Sequence, residues 1–479
     1  MAAGALPQGA SSHRGGGGGK EAMPCWASLH IDLTQLIAAR VLATGGFLDY
    51  VRFRAVCSGW RAAAASPRGR GLLDPRLHPR HWMLFPEGFG RHPGHPAHGG
   101  HARFFDVSAA GAFVRVPIPE LEDHHVLDSP DGLLLLLRFE DTALRLLHPF
   151  TRDVADLPSF HCLAQQVKHL EELPSRIRLL DAADVFYFYR ELLGELCSAV
   201  NITASGTITV MLALAPIGRV AVASAGDDEW TISSWKEDEL EATLQYQGKL
   251  YVVYQKDCLT HHVSLIDPPL PWCDGDVSLS PPTVPPPRTV ATVSSKEIYL
   301  PSLVELDSEI MLVGYKNRAC SCLLVLKLAD LVLGRTVPVI YIGDHVLFSG
   351  ARSLCVSSNW LPSIGQNSII HLRAICLAQY NLNFGAWSPA SDEDTCFEPP
   401  KPPCELVHHI FTCCYRRFWN TGLLFQFGAW IPDWRARLDR IIAKCSVYVS
   451  ISPGNRYSCC ACVSLMVDRL KNLERAVAV

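Results

Sequence analysis

The chain has 479 residues, 48% of them hydrophobic and 19% charged, and its 43 Lys and Arg against 47 Asp and Glu leave a formal net charge of −4. That is less charge than the usual quarter of residues, so a large core can form and global disorder is excluded. The slight acidity also removes any general attraction to nucleic acid or acidic membranes, and neither is expected as a partner.

Residues 1–24 carry a GGGGG run and no apolar core flanked by basic residues, and they read as a disordered tail rather than a signal peptide. Residues 26–66 read as helices. Leu29, Leu33, Leu36, Ile37 and Val41 recur at the 3.6-residue period, and Leu48, Val51, Ala55 and Val56 repeat it after the Gly45-Gly46 break. A third short helix, "CSGWRAAAA", begins near Ser58 and is stopped by Pro67, which lacks the N–H donor. So small a bundle buries little alone and must lean on another domain or a partner.

From about residue 80 to 400 the pattern becomes short β-like runs between Gly, Pro, Asp and Asn: "HARFFDV", "GAFVRV", "DGLLLLLRF", "TALRLLHPF". Four stretches look alike: "SPDGLLLLLRFEDTALRLLHPFTRDVADLP", "QGKLYVVYQKDCLTHHVSLIDPP", "DSEIMLVGYKNRACSCLLVLKLADLVLGRTVP" and "QNSIIHLRAICLAQYNLNFGAWSP". Each has a turn, an apolar strand, a polar turn and a second strand, and each closes in a loop with proline. The last three start about 60 residues apart, near a propeller-blade period once loop insertions are allowed. The expected fold is α+β multidomain: a small N-terminal three-helix bundle, then a large β-rich domain that is propeller-like (kelch-like). A two-sheet sandwich is the alternative. Helices interrupt at "HCLAQQVKHLEELPSRIRLL" and "DWRARLDRIIAK", the proline-dense "DPPLPWCDGDVSLSPPTVPPPRT" is a long connection, and 401–479 is set apart as a C-terminal extension. The longest apolar stretch, "TVMLALAPIGRVAVASAG", is broken by Pro216 and Arg219 well short of the ~20 residues of a membrane span. Eighteen scattered or adjacent cysteines in a chain without an export signal read as reduced thiols.

The stretch "ASLHIDLTQLIAARVLATGGFLDYVRFRAVCSGWRAAA" resembles an F-box, through the Leu29/Leu33/Ile37 helix and the "DYVRFRAVCSGW" segment with Arg52, Val56, Cys57 and Trp60. Farther on, "PRGRGLLDPRLHPRHWMLFPEG", "VLDSPDGLLLLLR", "LLHPFTRDVADLP" and "QGKLYVVY" are similar to the β-rich associated domain of a large plant F-box family, so the resemblance covers about residues 26–400. It implies a substrate-recognition subunit of a Skp–cullin–F-box ubiquitin ligase. The F-box would hold a Skp-type adaptor and through it cullin, and the β domain would hold an unidentified protein substrate in the cytoplasm or nucleus. Leu29, Leu33, Ile37, Val56, Cys57 and Trp60 are the candidate adaptor-binding residues, since a small bundle with apolar positions on several faces offers some of them to a helical partner. The usual Leu-Pro start is Leu29-His30 here, and Ser28 or Asp32 is left to cap the helix.

Other signals predict less. His92, His95, His98 and His101 sit three apart in a loop, and "HHIFTCC" and "CCAC" lack the paired CxxC spacing of zinc modules. The glycine run before Lys20 has Arg14 and Glu21 where a phosphate loop needs Gly and Ser or Thr. Seven arginines from Arg52 to Arg80 oppose only Asp74, with little aromatic interleaving, and read as a solvated face. No nucleophile, base and acid stand in a catalytic spacing, so a non-enzyme without metal or cofactor is expected. The alternatives are a β-domain binding protein whose degenerate F-box joins no ligase, and an enzyme built on the His-rich loop or the glycine run.

Overall fold

The structure is a computed structural model. It describes residues 26, 29–44, 46–85, 101–108, 112–138, 140–168, 170, 196–238, 240–257, 259–269, 283–373, 376–390, 405–416 and 419. The tail at 1–24, Ser28, the loop with His92, His95 and His98, residues 270–282 of the proline-dense connection, "DWRARLDRIIAK" and "CCAC" lie outside the described residues. The chain divides into two compact units, Met1–Ser66 and Pro67–Val479.

The first unit holds α1 (Ile31–Thr44), α2 (Gly46–Ala55) and α3 (Ser58–Ala63). Gly46 takes φ +77°, a conformation glycine adopts without strain, which lets the chain reverse between α1 and α2. Thr34, Ala38 and Leu42 recur every fourth residue on α1 and are buried with Phe47, Tyr50 and Phe53 of α2. Tyr50 donates its hydroxyl to the Ala65 carbonyl at 2.8 Å, which ties α2 to the chain leaving α3.

The second unit contains six antiparallel-rich sheets in chain order. Blade I is β1 (Trp82–Leu84), β2 (His101–Asp106) and β3 (Phe113–Pro117). Blade II is β4 (His124–Asp128), β5 (Leu134–Arg138), β6 (Leu144–Leu147) and β7 (Val154–Leu157), followed by α4 (Phe160–Lys168). Blade III is β8 (Cys197–Ile202), β9 (Ile208–Leu214), β10 (Arg219–Ser224) and β11 (Thr231–Ile232). Blade IV is β12 (Leu240–Tyr246), β13 (Lys249–Asp257), β14 (Thr260–Ile266) and β15 (Arg288–Ser294). Blade V is β16 (Tyr299–Leu306), β17 (Glu309–Tyr315) and β18 (Leu323–Lys327), followed by α5 (Leu328–Val332). Blade VI is β19 (His345–Ser349), β20 (Leu354–Ser357), β21 (Ser368–Arg373), β22 (Cys376–Asn381) and β23 (Ala386–Pro389), and α6 (Leu406–Cys413) comes last. In blade VI β20 takes the edge beside β19, and β19 runs parallel to β21.

Each of the four similar sequence stretches falls on consecutive strands of one blade: II, IV, V and VI. Their opening turns share a backbone need. Gln247-Gly248 joins β12 to β13 at φ +52° and +74°, and Asp307-Ser308 joins β16 to β17 at +48° and +62°. Two-residue hairpins with both φ positive match the right-handed strand twist.

Apolar clusters fill the spaces between successive sheets. Leu135, Leu137 and Leu146 of blade II meet Val210 and Leu212 of blade III. Met211 and Val220 meet Leu250 and Val252, Val253 and Val263 meet Leu312, and Met311 and Val325 meet Ile369 and Leu347. The ring closes through α6, whose Val407, Ile410, Phe411 and Cys413 pack between Phe85 and Phe105 of the first sheet region and Val346, Phe348 and Ile370 of the last. At Gly350 an added Cβ would lie 2.7 Å from Cys414 Cβ, so the backbone itself makes the contact. Residues 405–416, assigned to an extension in the sequence reading, therefore lie inside the β domain's core. The architecture is a six-bladed β-propeller. No helix among the described residues is long and apolar enough to cross a membrane.

Candidate docking surface and the propeller axis

The helical unit separates the six candidate residues into two groups. Cys57 and Trp60 belong to its framework. The Cys57 thiol accepts the Trp60 N–H at 3.4 Å and caps α3. The Trp60 ring stacks on buried Phe53 at 4.4 Å between centroids, and its indole N–H donates to the Trp26 carbonyl at 3.1 Å. Leu33, Ile37 and Val56 face outward, with Leu33 50% and Val56 59% exposed, and Leu29 is half-buried. Trp26, Ile31, Leu36 and Val51 extend this apolar exposure. Single exposed leucines are ordinary, but this many on a unit whose three helices hold 14, 10 and 6 residues form an unusually apolar surface.

His30 sits immediately before α1. Its carbonyl accepts the Thr34 N–H at 3.0 Å, and its ring Nδ1 lies 3.4 Å from the Asp32 amide nitrogen and 3.3 Å from the Asp32 carboxylate. Histidine thus serves as the N-cap, a position where a side-chain acceptor can satisfy a free amide of the first turn. The sequence reading placed this residue inside the first turn and assigned capping to Ser28 or Asp32. The structure places it one step earlier.

In the propeller, the leading strands of neighbouring blades lie against one another, β12 between β8 and β16 and β16 against β20, and so surround the axis. A charged group crosses blades there. Asp128, at the end of β4, accepts from Ser198 N at 2.7 Å, Ser198 Oγ at 2.8 Å and Arg416 Nε at 2.5 Å. Arg352, from the β19–β20 turn, donates to the Ser129 carbonyl at 3.4 Å and covers the Trp419 ring at 5.5 Å. Burial alone would raise the Asp128 pKa, but the Arg416 and Arg352 charges and the hydrogen bonds outweigh it, and the carboxyl stays below its ordinary value. Burial also lowers the Arg352 pKa, against the attraction of Asp128.

A second group lies nearby. Asp131 pairs with Arg80 at 3.3 Å, and Glu305 on β16 has its pKa raised, first by desolvation and then by Asp131. Sequence reasoning missed Asp128, Asp131, Arg352 and Arg416, whose partners lie in other blades. Among the described residues no group of three or more His, Cys, Asp or Glu is placed to hold a metal ion. In "HHIFTCC" the thiols of Cys413 and Cys414 point into the apolar closure, and burial pushes both pKa values up.

A helical unit with an exposed apolar face and a six-bladed propeller with a buried charged group crossing its blades define a propeller-bearing protein of the binding-module type. The chain belongs to the KIB1-4 beta-propeller family, whose model matches residues 104–386. No curated protein sequence matches the chain. Among solved structures it is similar to the Myceliophteria thermophila Cps50 (Swd1) beta-propeller domain, at 14% identity over 60% of this chain and 76% of that one, TM-score 0.24. It is also similar to the dihydro-heme d1 dehydrogenase NirN, at 12% identity over 71% of this chain and 60% of that one, TM-score 0.27. Likenesses this loose carry no argument.

Proposed function

We propose that the protein is the substrate-recognition subunit of a Skp–cullin–F-box ubiquitin ligase. The helical unit docks a Skp-type adaptor, the propeller holds the protein substrate, and ubiquitin chemistry belongs to other subunits. The observation that carries this reading is the outward set Leu33, Ile37 and Val56 on a unit whose interior is already filled by Ala38, Leu42, Phe47, Tyr50 and Phe53. Family membership supports the propeller half, and the F-box resemblance supports the helical half. A ligase of this kind acts in the cytoplasm or nucleus.

The test is co-purification of the full chain with a purified Skp-type adaptor, using wild type and the Leu33→Asp, Ile37→Asp double variant. Burying one such side chain contributes about 1.5–3 kcal/mol, so the double variant is expected to lose at least tenfold in affinity. Undiminished binding would overturn the reading. Absence of adaptor binding by the wild type itself would favour the second one, a propeller binding module with a degenerate F-box, which His30 in the place of the usual proline keeps open.

A further inference from the structure

The propeller carries an exposed apolar cluster where blades V and VI meet. After α5 the chain returns along β18: Leu326 bridges Pro338, and Val339 N–H donates to the Val325 carbonyl at 2.8 Å. The next residues, Ile340 and Tyr341, are 68% and 62% exposed. Across the blade boundary, the turn between β22 and β23 presents Phe384, 83% exposed. Single exposed apolar residues are ordinary, but these three lie on adjoining segments.

One buried side chain joins those segments. Asn367 Nδ2 donates to the Ile340 carbonyl at 2.9 Å and to Asn383 Oδ1 at 2.8 Å, while Asn367 Oδ1 accepts the Ile342 N–H at 2.8 Å. Two acceptors sharing one nitrogen must run side by side. Asn367 has no exposed surface and holds φ +58°, so the fold keeps an uncommon conformation for this purpose. The Phe384 turn is also fixed, because Asn381 Oδ1 accepts the N–H groups of Asn383 and Phe384 at 3.0 and 3.2 Å. The apolar side chains are therefore presented on a braced backbone, which lowers the ordering cost of binding.

Two exposed carboxylates, Asp307 and Asp344, stand on the neighbouring segments. His345 Nδ1 hydrogen-bonds the Ile342 carbonyl at 3.0 Å, and its Nε2 lies 3.7 Å from Asp307 Oδ1. Asp344 follows Tyr341 by three residues. Both aspartates are exposed, and among the described residues neither has a Lys or Arg partner.

We infer that Ile340, Tyr341 and Phe384, with Asp307 and Asp344 beside them, form the propeller's contact for a protein segment bearing an aliphatic or aromatic anchor next to a Lys or Arg. The inference rests on the reading above only in taking the propeller as the half that meets a protein partner. Charge complementarity selects the basic neighbour, and the apolar trio selects the anchor.

The probe is a random 12-residue peptide display library selected on the immobilised full chain. Enriched peptides should pair an apolar anchor with a basic residue. A synthesised consensus peptide should lose at least about tenfold in affinity on Phe384→Ala and Tyr341→Ala, and about two- to fivefold, with weaker salt dependence, on Asp344→Asn. Leu259→Ala, at an exposed leucine of the β13–β14 turn, should bind as wild type. No enrichment, peptides without the basic residue, or equal binding by Phe384→Ala and Tyr341→Ala overturns the inference. Adaptor co-purification on the same variants separates the two readings. Loss of peptide with adaptor retained supports this surface, and retained peptide with no adaptor binding by any variant or wild type counts against the ligase alone.

Discussion

Asp128→Ala removes the acceptor for three donors at once, Ser198 N, Ser198 Oγ and Arg416 Nε. It leaves Arg416, only 5% exposed, in a buried site beside Arg352 without the carboxylate that offsets both charges. Deleting one partner of a buried pair costs about 3–5 kcal/mol, because the remaining charge keeps its desolvation penalty. Glu309→Ala, which frees Lys327 from a half-exposed surface pair, should cost less than about 1 kcal/mol. Urea denaturation of the full chain, followed by tryptophan fluorescence, compares the two. The paired replacement Asp128→Leu with Arg416→Met should be less damaging than either single change, since apolar groups of similar volume need no counter-charge. Because the Asp128 pKa is depressed in the fold, its contribution is present above about pH 4 and is lost as pH falls through the folded value. If Asp128→Ala shifts the midpoint no more than Glu309→Ala, these charges do not hold the closing segment to blade II.

Three further outcomes follow from single positions. His148 is fully buried, with Nδ1 accepting from Phe150 and Thr151 N–H and Nε2 donating to the Leu77 carbonyl, and burial pushes its pKa down to about 4. Only the unfolded chain takes its proton between about pH 6.5 and 4, so stability should fall across that window by up to about 3 kcal/mol, and His148→Gln should flatten the dependence in urea midpoints. Ser308 holds φ +62° in a two-residue hairpin, and Ser308→Gly should raise the thermal midpoint, by about 0.5–1 kcal/mol in stability, leaving the Tyr246 hydroxyl's bond to the 308 carbonyl intact. His30→Pro should tighten adaptor binding by no more than a few-fold in calorimetry, since a restrained unfolded segment gains about 0.4–1 kcal/mol and the lost ring acceptor offsets part of it.

The blades were legible where both strands of a hairpin are covered on both faces. "GLLLLLRF" and "EIMLVGY" are nearly continuous apolar runs for that reason, and the blades' opening turns carry Asp, Gly, Gln or Asn at most of the positions where positive φ is required, with Ser308 the exception. The leading strands were harder to read. β12, "LEATLQY", borders the axis and mixes Glu, Thr and Gln with apolar residues, so neither period two nor a run stands out. The helical unit was legible from its 3.6 period, but periodicity alone could not tell which apolar stripe faces inward. On α1 the interior takes Thr34 and Ala38, and the larger Leu33 and Ile37 remain outside. Asp128 was invisible because Arg416 stands 288 residues away along the chain. The closing helix was hidden for a similar reason: "HHIFTCC" reads locally as imidazoles and thiols, and its burial depends on the first and last blades meeting around it.

Closure by α6 also fixes a waiting time during synthesis. Blade I is complete in sequence at Pro117, yet the residues that cover Phe85 and Phe105 begin at Leu406, about 290 positions later. At ribosomal speeds of about 5–20 residues per second, the first blade stays uncovered for roughly 15 to 60 seconds. Throughout that interval the nascent chain carries an apolar sheet face and an open strand edge, the features that invite chaperones and mispairing. A message cut short between codon 327, where β18 ends, and codon 405 would release five or six blades with no means of closing the ring, and such a product would be a target for quality control.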